Sequence, residues 1–157
     1  MENRLIVLTG ISKSGKSEVA RSLSSHLTGY TCHNIGDALA KCIGIMTSDQ
    51  EQRKTIGPRF LSQYGESGYI EVLQKLAKPR RILDGVRLLV GMQALRELFP
   101  DLLHIHKIGD RHSSQPGNYD AEELQNLSDI TLPWTTDPVN IDEVVQLKVL
   151  PLLATKP

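Results

Sequence analysis

Residues Thr9 to Ser17 read TGISKSGKS, directly after the apolar run RLIVL at Arg4 to Leu8. Gly10, Gly15, Lys16 and Ser17 fill every fixed position of the pattern G-x-x-x-x-G-K-[ST]. At average glycine usage, a chance match in a chain of this length is on the order of 0.5%. The flanks sharpen the reading. A short continuous apolar run suits a strand buried on both faces of a parallel sheet. From Gly15 to Leu27, Val19, Ala20, Leu23 and Leu27 share one side while Glu18, Arg21 and Ser25 lie away from it, the pattern of an amphipathic helix. A glycine-bearing turn between strand and helix lets successive N–H groups point inward at phosphate oxygens, and the helix N-terminus adds partial positive charge. Gly10, Ser12, Ser14 and Gly15 are therefore expected to form the cradle, Lys16 to reach the β and γ phosphates of a nucleotide, and Ser17 to ligate Mg2+. Lys13 reads either as a further phosphate contact or as a solvated loop lysine.

The remaining segments alternate in the same way. Strands are expected at Tyr30 to Ile35, Arg81 to Leu83, Leu102 to Ile108 and Asp129 to Leu132. Between them lie apolar-periodic stretches: Ala38 to Ile45, about Asp49 to Tyr64 with a break near Gly57-Pro58, Tyr69 to Leu76, and LLVGMQALRELF, which Pro100 stops. Gly109 to Asn126 reads as a polar loop, and Ile141 to Leu153 as a closing helix. Strands that alternate with helices predict an α/β fold with a mostly parallel sheet, because parallel neighbours need crossover connections.

With 157 residues and 39% hydrophobic side chains, the chain is expected to form one domain around one core. Its 18 basic and 18 acidic residues cancel, so no overall field favours nucleic acid or an anionic membrane, and neither is expected as a partner. Any bound anion must be gripped locally. Cys32 and Cys42 stand ten positions apart with no paired histidines at ligand spacing, which suits free thiols in a reducing cytoplasm. No apolar run reaches the roughly 18 residues that span a bilayer, and Met1 leads so soon into a core strand that no signal peptide is expected. Monomer and homodimer both stay open.

In RRILDGVR, Asp84 directly follows an apolar triplet, where a second, acidic element of a phosphate-loop site would hold Mg2+ directly or through water. A carboxylate at the C-terminal end of a buried strand faces the crevice where open α/β sheets bind ligands. The plain alternative is an Asp-Gly turn. Arg87, three residues on, would clamp a phosphate or carboxylate with two parallel hydrogen bonds. His104 and His106 alternate on one strand and so share a side, but with no third ligand in view they read as packing or edge-strand residues.

A GTPase would carry N-K-x-D and D-x-x-G, and neither is present. Four segments, GISKSGKS, NIGDALAK, LDGVRLLVGMQALRELFPDLLHIHKIGDR and LSDITLP, resemble the small P-loop kinases of the nucleoside monophosphate kinase and dephospho-coenzyme A kinase group. The third is similar to the DGVR segment of archaeal dephospho-coenzyme A kinase-like and phage deoxynucleotide kinase-like proteins. The resemblance implies a three-layer fold with a five-stranded parallel sheet of order 2-3-1-4-5 flanked by helices. It also implies a helical acceptor-binding region at about 36–77 and a short lid at about 109–127, all within a single domain, 1–157. Carried onto this chain, it puts Asp37 against the phosphoryl acceptor, where an N-cap carboxylate is the plain reading. Lys41 stands where the group often has arginine, and Arg53 and Arg59 become candidate acceptor-site cations. Trp134 falls in the loop after the fifth strand, where the group places adenine, or else packs the final helix.

The lid departs from the group. Such kinases place one or more arginines after the fourth strand to neutralise the transferring phosphoryl group, and KIGDRHSSQPGNYDAEEL offers only Arg111, with His112 beside it. The resemblance thus implies an ATP- and Mg2+-dependent kinase acting on a small nucleotide-like or phosphate-bearing acceptor, with Lys16, Asp37, Arg87 and Arg111 as its working side chains. The thin lid keeps a second reading in view, a nucleotide-binding regulator or a degenerate, non-catalytic homologue.

Overall fold

Each expected strand forms. In the computed structural model these are β1 (Ile6–Thr9), β2 (Thr31–Asn34), β3 (Arg81–Val86), β4 (Leu103–Lys107) and β5 (Ile130–Leu132). The structure describes residues 3–11, 15–45, 55–109, 120–133 and 137–154. All four pairings are parallel, and the strands lie in the order β2-β3-β1-β4-β5, the order the resemblance implied. Helices make the crossovers: α1 (Lys16–His26), α2 (Ile35–Ile43) with α3 (Ile56–Leu76), α4 (Leu89–Leu98) and α5 (Ala121–Leu127). The chain then runs through α6 (Pro138–Val144), a π-helical turn at Val145–Val149, and α7 (Leu150–Ala154).

Alternation along β1 divides the core. Ile6 and Leu8 join Ile82 and Ile105 under α1 and the C-terminal helices, against Val19, Leu23, Ile141 and Val145. Leu5 and Val7 join Leu83 and Val86 on the opposite face, against Leu39, Phe60, Leu73 and Met92. Four β1 residues are no more than 1% exposed, as a central strand covered by helices on both sides requires. The register carries Asn34 and Leu8 to either side of Asp84, and the pairing of β1 with β3 then shifts so that Thr9 meets Val86. The ends of β1, β2 and β3 thereby gather at one rim.

Several expectations need correction. The break expected at Gly57-Pro58 is instead a start: Pro58 lies in the first turn of α3, where its missing N–H costs no helical bond. The interruption falls at Gly65, whose φ of 71° and ψ of −175° kink α3 between its two halves. Helix α2 begins at Ile35 rather than Ala38, because Asn34 caps it by accepting from the Asp37 N–H at 2.9 Å. Asp37 is therefore not the cap. The stretch expected as loop to Asn126 ends in helix α5, and the closing helix starts at Pro138, capped by Asp137, ahead of the expected Ile141. Close packing of α4 on α3 depends on Gly91, where a Cβ would stand 2.5 Å from Leu73 Cδ1 and 2.7 Å from Tyr69 Cε1. No described helix is long and apolar enough to cross a membrane.

Candidate active site

The phosphate-loop pattern lies where its chemistry needs it, between the end of β1 and the start of α1. Gly10 has φ 143° and Gly15 φ 98°, and Gly15 is the N-cap of α1. A side chain would strain both positions, so the glycines of the pattern are backbone requirements. Lys16 is the first residue of α1 and is only 7% exposed. Its Nζ donates to the Ile11 carbonyl at 2.6 Å, folding the side chain back over the loop. Burial, with the nearby Arg87 and Lys107 charges, lowers its pKa to about 7 against a partial opposing pull from Asp84.

Ser17 and Asp84, expected together around a metal, do meet: Ser17 Oγ donates to Asp84 Oδ2 at 3.2 Å. Asn34 Nδ2 approaches the same oxygen at 3.5 Å. Asp84 is 4% exposed, and burial raises its pKa although Lys16, Ser17, Asn34 and Arg87 all favour the charged form. A carboxylate desolvated beside a hydroxyl oxygen is hard-donor chemistry suited to Mg2+, so these residues fit the ion that the phosphate loop implies.

Arg87 follows β3, and its backbone is held from two sides. Its N–H donates to Tyr69 Oη at 3.0 Å, and its carbonyl accepts from the Asp120 N–H at 3.4 Å. Asp120 Oδ2 also accepts from the Leu89 N–H at 2.7 Å, at the start of α4. Helix α3 and the start of α5 thus meet at the arginine backbone. The Arg87 charge lowers the Lys16 pKa and favours the ionised form of Asp84.

Asp37 projects from the first turn of α2 and is exposed, and Asn34 ties that turn to Asp84 by bonding both. Lys41, in the last turn of α2, and Arg59, in the first turn of α3, are exposed. His104 and His106 lie on the interior strand β4, not at an edge, and both face Thr9: His104 Nε2 is 2.7 Å and His106 Nδ1 2.9 Å from Thr9 Oγ1. The hydroxyl has a single hydrogen, so no more than one of the two rings accepts from it and at least one donates. Ser12, Lys13, Ser14, Arg53, Arg111, His112 and Trp134 lie outside the described residues.

Three residues at this rim were missed in the sequence. Asn34 had a readable signal, a capping residue type just before a helical run. Tyr69 had none, since only the fold brings it to Arg87. Lys107 ends a buried strand, as Asp84 nearly does, and the same crevice rule applied to β4 would have found it. It is 2% exposed, and its Nζ donates to the carbonyls of Pro133 at 2.7 Å and Ile108 at 3.1 Å.

The chain matches no protein-family model and no curated protein sequence. Solved structures do match over nearly its whole length. Shikimate kinase from Acinetobacter baumannii, in complex with shikimate, superimposes with a TM-score of 0.63 at 14% identity, over 97% of this chain and 96% of that one. Shikimate kinase from Aquifex aeolicus gives 0.60 at 19% identity, over 96% and 98%. The fold is that of the P-loop kinases. Another P-loop kinase, the APS kinase CysC from Mycobacterium tuberculosis, gives 0.51 at 20% identity over 98% and 99%. At these identities the likeness concerns the fold.

Proposed function

We propose that this chain is an ATP-dependent kinase that transfers the γ-phosphoryl group to a small nucleotide-like or phosphate-bearing metabolite. One observation carries the reading: Lys16 and Ser17 at the start of α1 and Asp84 and Arg87 at the end of β3, from two segments far apart in sequence, come together at the end of β1 beside a glycine-bounded loop. The P-loop kinase fold supports it independently. Ser17 and Asp84 would hold Mg2+, which neutralises charge on the phosphates. Lys16 is recharged by the phosphates it meets. The acceptor enters from the β2 side, over α2 and α3 within about 36–77, and its oxygen attacks the γ-phosphorus as the bond to the β-γ bridging oxygen breaks. If the acceptor is a hydroxyl, Asp37 takes its proton; an ionised phosphate acceptor needs no base. Arg87 clamps an anionic group of the acceptor, and Arg111, in the 109–127 segment, neutralises the moving phosphoryl group. Nucleoside monophosphates and dephospho-coenzyme A follow from the sequence resemblance; shikimate, a hydroxy-carboxylate outside that class, is the contrasting acceptor taken from a structural neighbour.

The test is a titration of Mg-ATP with and without each of these acceptors, following ADP release. Acceptor-dependent ADP release that Lys16→Ala abolishes, with the circular dichroism spectrum unchanged, is the expected result. Tight ATP binding with no ADP release for any acceptor would instead make the chain a nucleotide-binding regulator or a degenerate kinase.

A further inference from the structure

Lys107 is a charged side chain that the proposed chemistry does not use. It sits in the core face under α1, where Val19, Leu132, Ile141 and Val144 line a small apolar cavity with it. Burial lowers its pKa to about 8. No carboxylate pairs with it among the described residues; its ammonium is held by the Pro133 and Ile108 carbonyls. A methionine or leucine would fill the same apolar walls without the desolvation cost, so the charge has to be explained by what it ties together. It ties three pieces. Its stem lies beside Gly15, where a Cβ would be 3.5 Å from Lys107 Cε, its backbone ends β4, and its ammonium grips the exit of β5 at Pro133.

The sheet order gives that junction a direction. Under the proposed function, Arg87 and Asp37 hold the acceptor over β3 and β2, which lie on one side of β1. In-line transfer needs donor and acceptor to approach the γ-phosphorus from opposite sides, so the nucleoside of the donor lies toward β4 and β5. We propose that Lys107 is a positioning residue for the donor nucleoside: by tying Pro133 to the end of β4 beside Gly15, it sets the spacing between the phosphate loop and the β5 exit. This rests on the proposed binding of ATP. The Lys107 charge also lowers the Lys16 pKa, an effect on the phosphate cradle that ATP and a bare polyphosphate feel alike, so the tie is read in the ratio of the two affinities.

The test compares affinity for Mg-ATP with that for magnesium tripolyphosphate, which lacks a nucleoside, by isothermal titration. Lys107→Met is expected to weaken ATP about tenfold or more relative to tripolyphosphate. Lys107→Gln keeps a polar head at the buried position but is one atom short of the Pro133 carbonyl, and shows the same selective loss should the methionine variant fail to fold. Lys107→Arg, which restores charge and reach, recovers part of the ATP affinity. An unchanged ratio of the two affinities in the methionine and glutamine variants, or an equal loss for both ligands, overturns the proposal. Wild type that binds neither ligand overturns the kinase reading instead.

Discussion

Ser17 Oγ donates to Asp84 Oδ2 at 3.2 Å, joining the first turn of α1 to β3 across 67 residues of sequence. Under the proposed function, a magnesium ion beside this pair would join the phosphates to the carboxylate. Without it, Asp84 is a buried charge whose pKa is raised by desolvation. A neutral isostere removes that cost.

Asp84→Asn is therefore expected to raise the Tm of the ligand-free protein by roughly a few degrees while removing magnesium-dependent nucleotide binding. Thermal melts with and without Mg-ATP read both effects. A variant that melts lower than wild type and still gains stability from Mg-ATP contradicts this role for Asp84.

Lys16 links nucleotide binding to pH. Its pKa of about 7 in the free protein means that it is largely neutral near pH 8, and bound phosphates restore its charge. Binding should then take up about one proton per nucleotide near pH 8 and almost none well below pH 7. Titration calorimetry in buffers of different ionisation enthalpy measures the uptake, and Mg-ATP affinity should fall as pH rises above about 7. A pH-independent affinity would place the phosphate contact elsewhere.

His104 and His106 set an acid limit on stability. Burial lowers both to about 4, from an ordinary value of 6.5. Between those values the unfolded chain binds more protons than the folded one, so this contribution is present above the ordinary value and is lost as pH falls toward about 4. Thermal melts should show Tm dropping through this window, and a variant with both histidines changed to glutamine should show a flatter profile.

Tyr69→Phe removes the acceptor for the Arg87 N–H. The buried donor left behind should cost about 1–3 kcal/mol in denaturant unfolding. With Arg87 less firmly held, kcat should fall while the KM for ATP stays close to wild type. A rise confined to the KM for ATP would mean that Arg87 serves the donor.

Much of the frame was legible because the phosphate loop and the strand runs are local signals. RLIVL and the residues after Gly15 announce a buried strand and an amphipathic helix through patterns only a few residues long, and Asp84 is visible from the end of its strand. The α2 start was misplaced because Asn34, not Asp37, supplies the cap, and a single side chain decides that. Pro58 read as a breaker because proline at a first turn and proline inside a helix look alike until the preceding residues are placed. Tyr69 and Lys107 came into view only with the fold: their partners, Arg87 and Pro133, are 18 and 26 residues away and are brought near by packing and strand pairing.

The most direct measurement incubates the protein with γ-labelled ATP, Mg2+ and a small-molecule extract from cells, then separates the labelled products. Label that moves from ATP into a discrete small molecule with wild type, and not with Lys16→Ala, is the predicted result. If wild type binds ATP but the label stays in ATP or appears only as inorganic phosphate, the kinase account is contradicted.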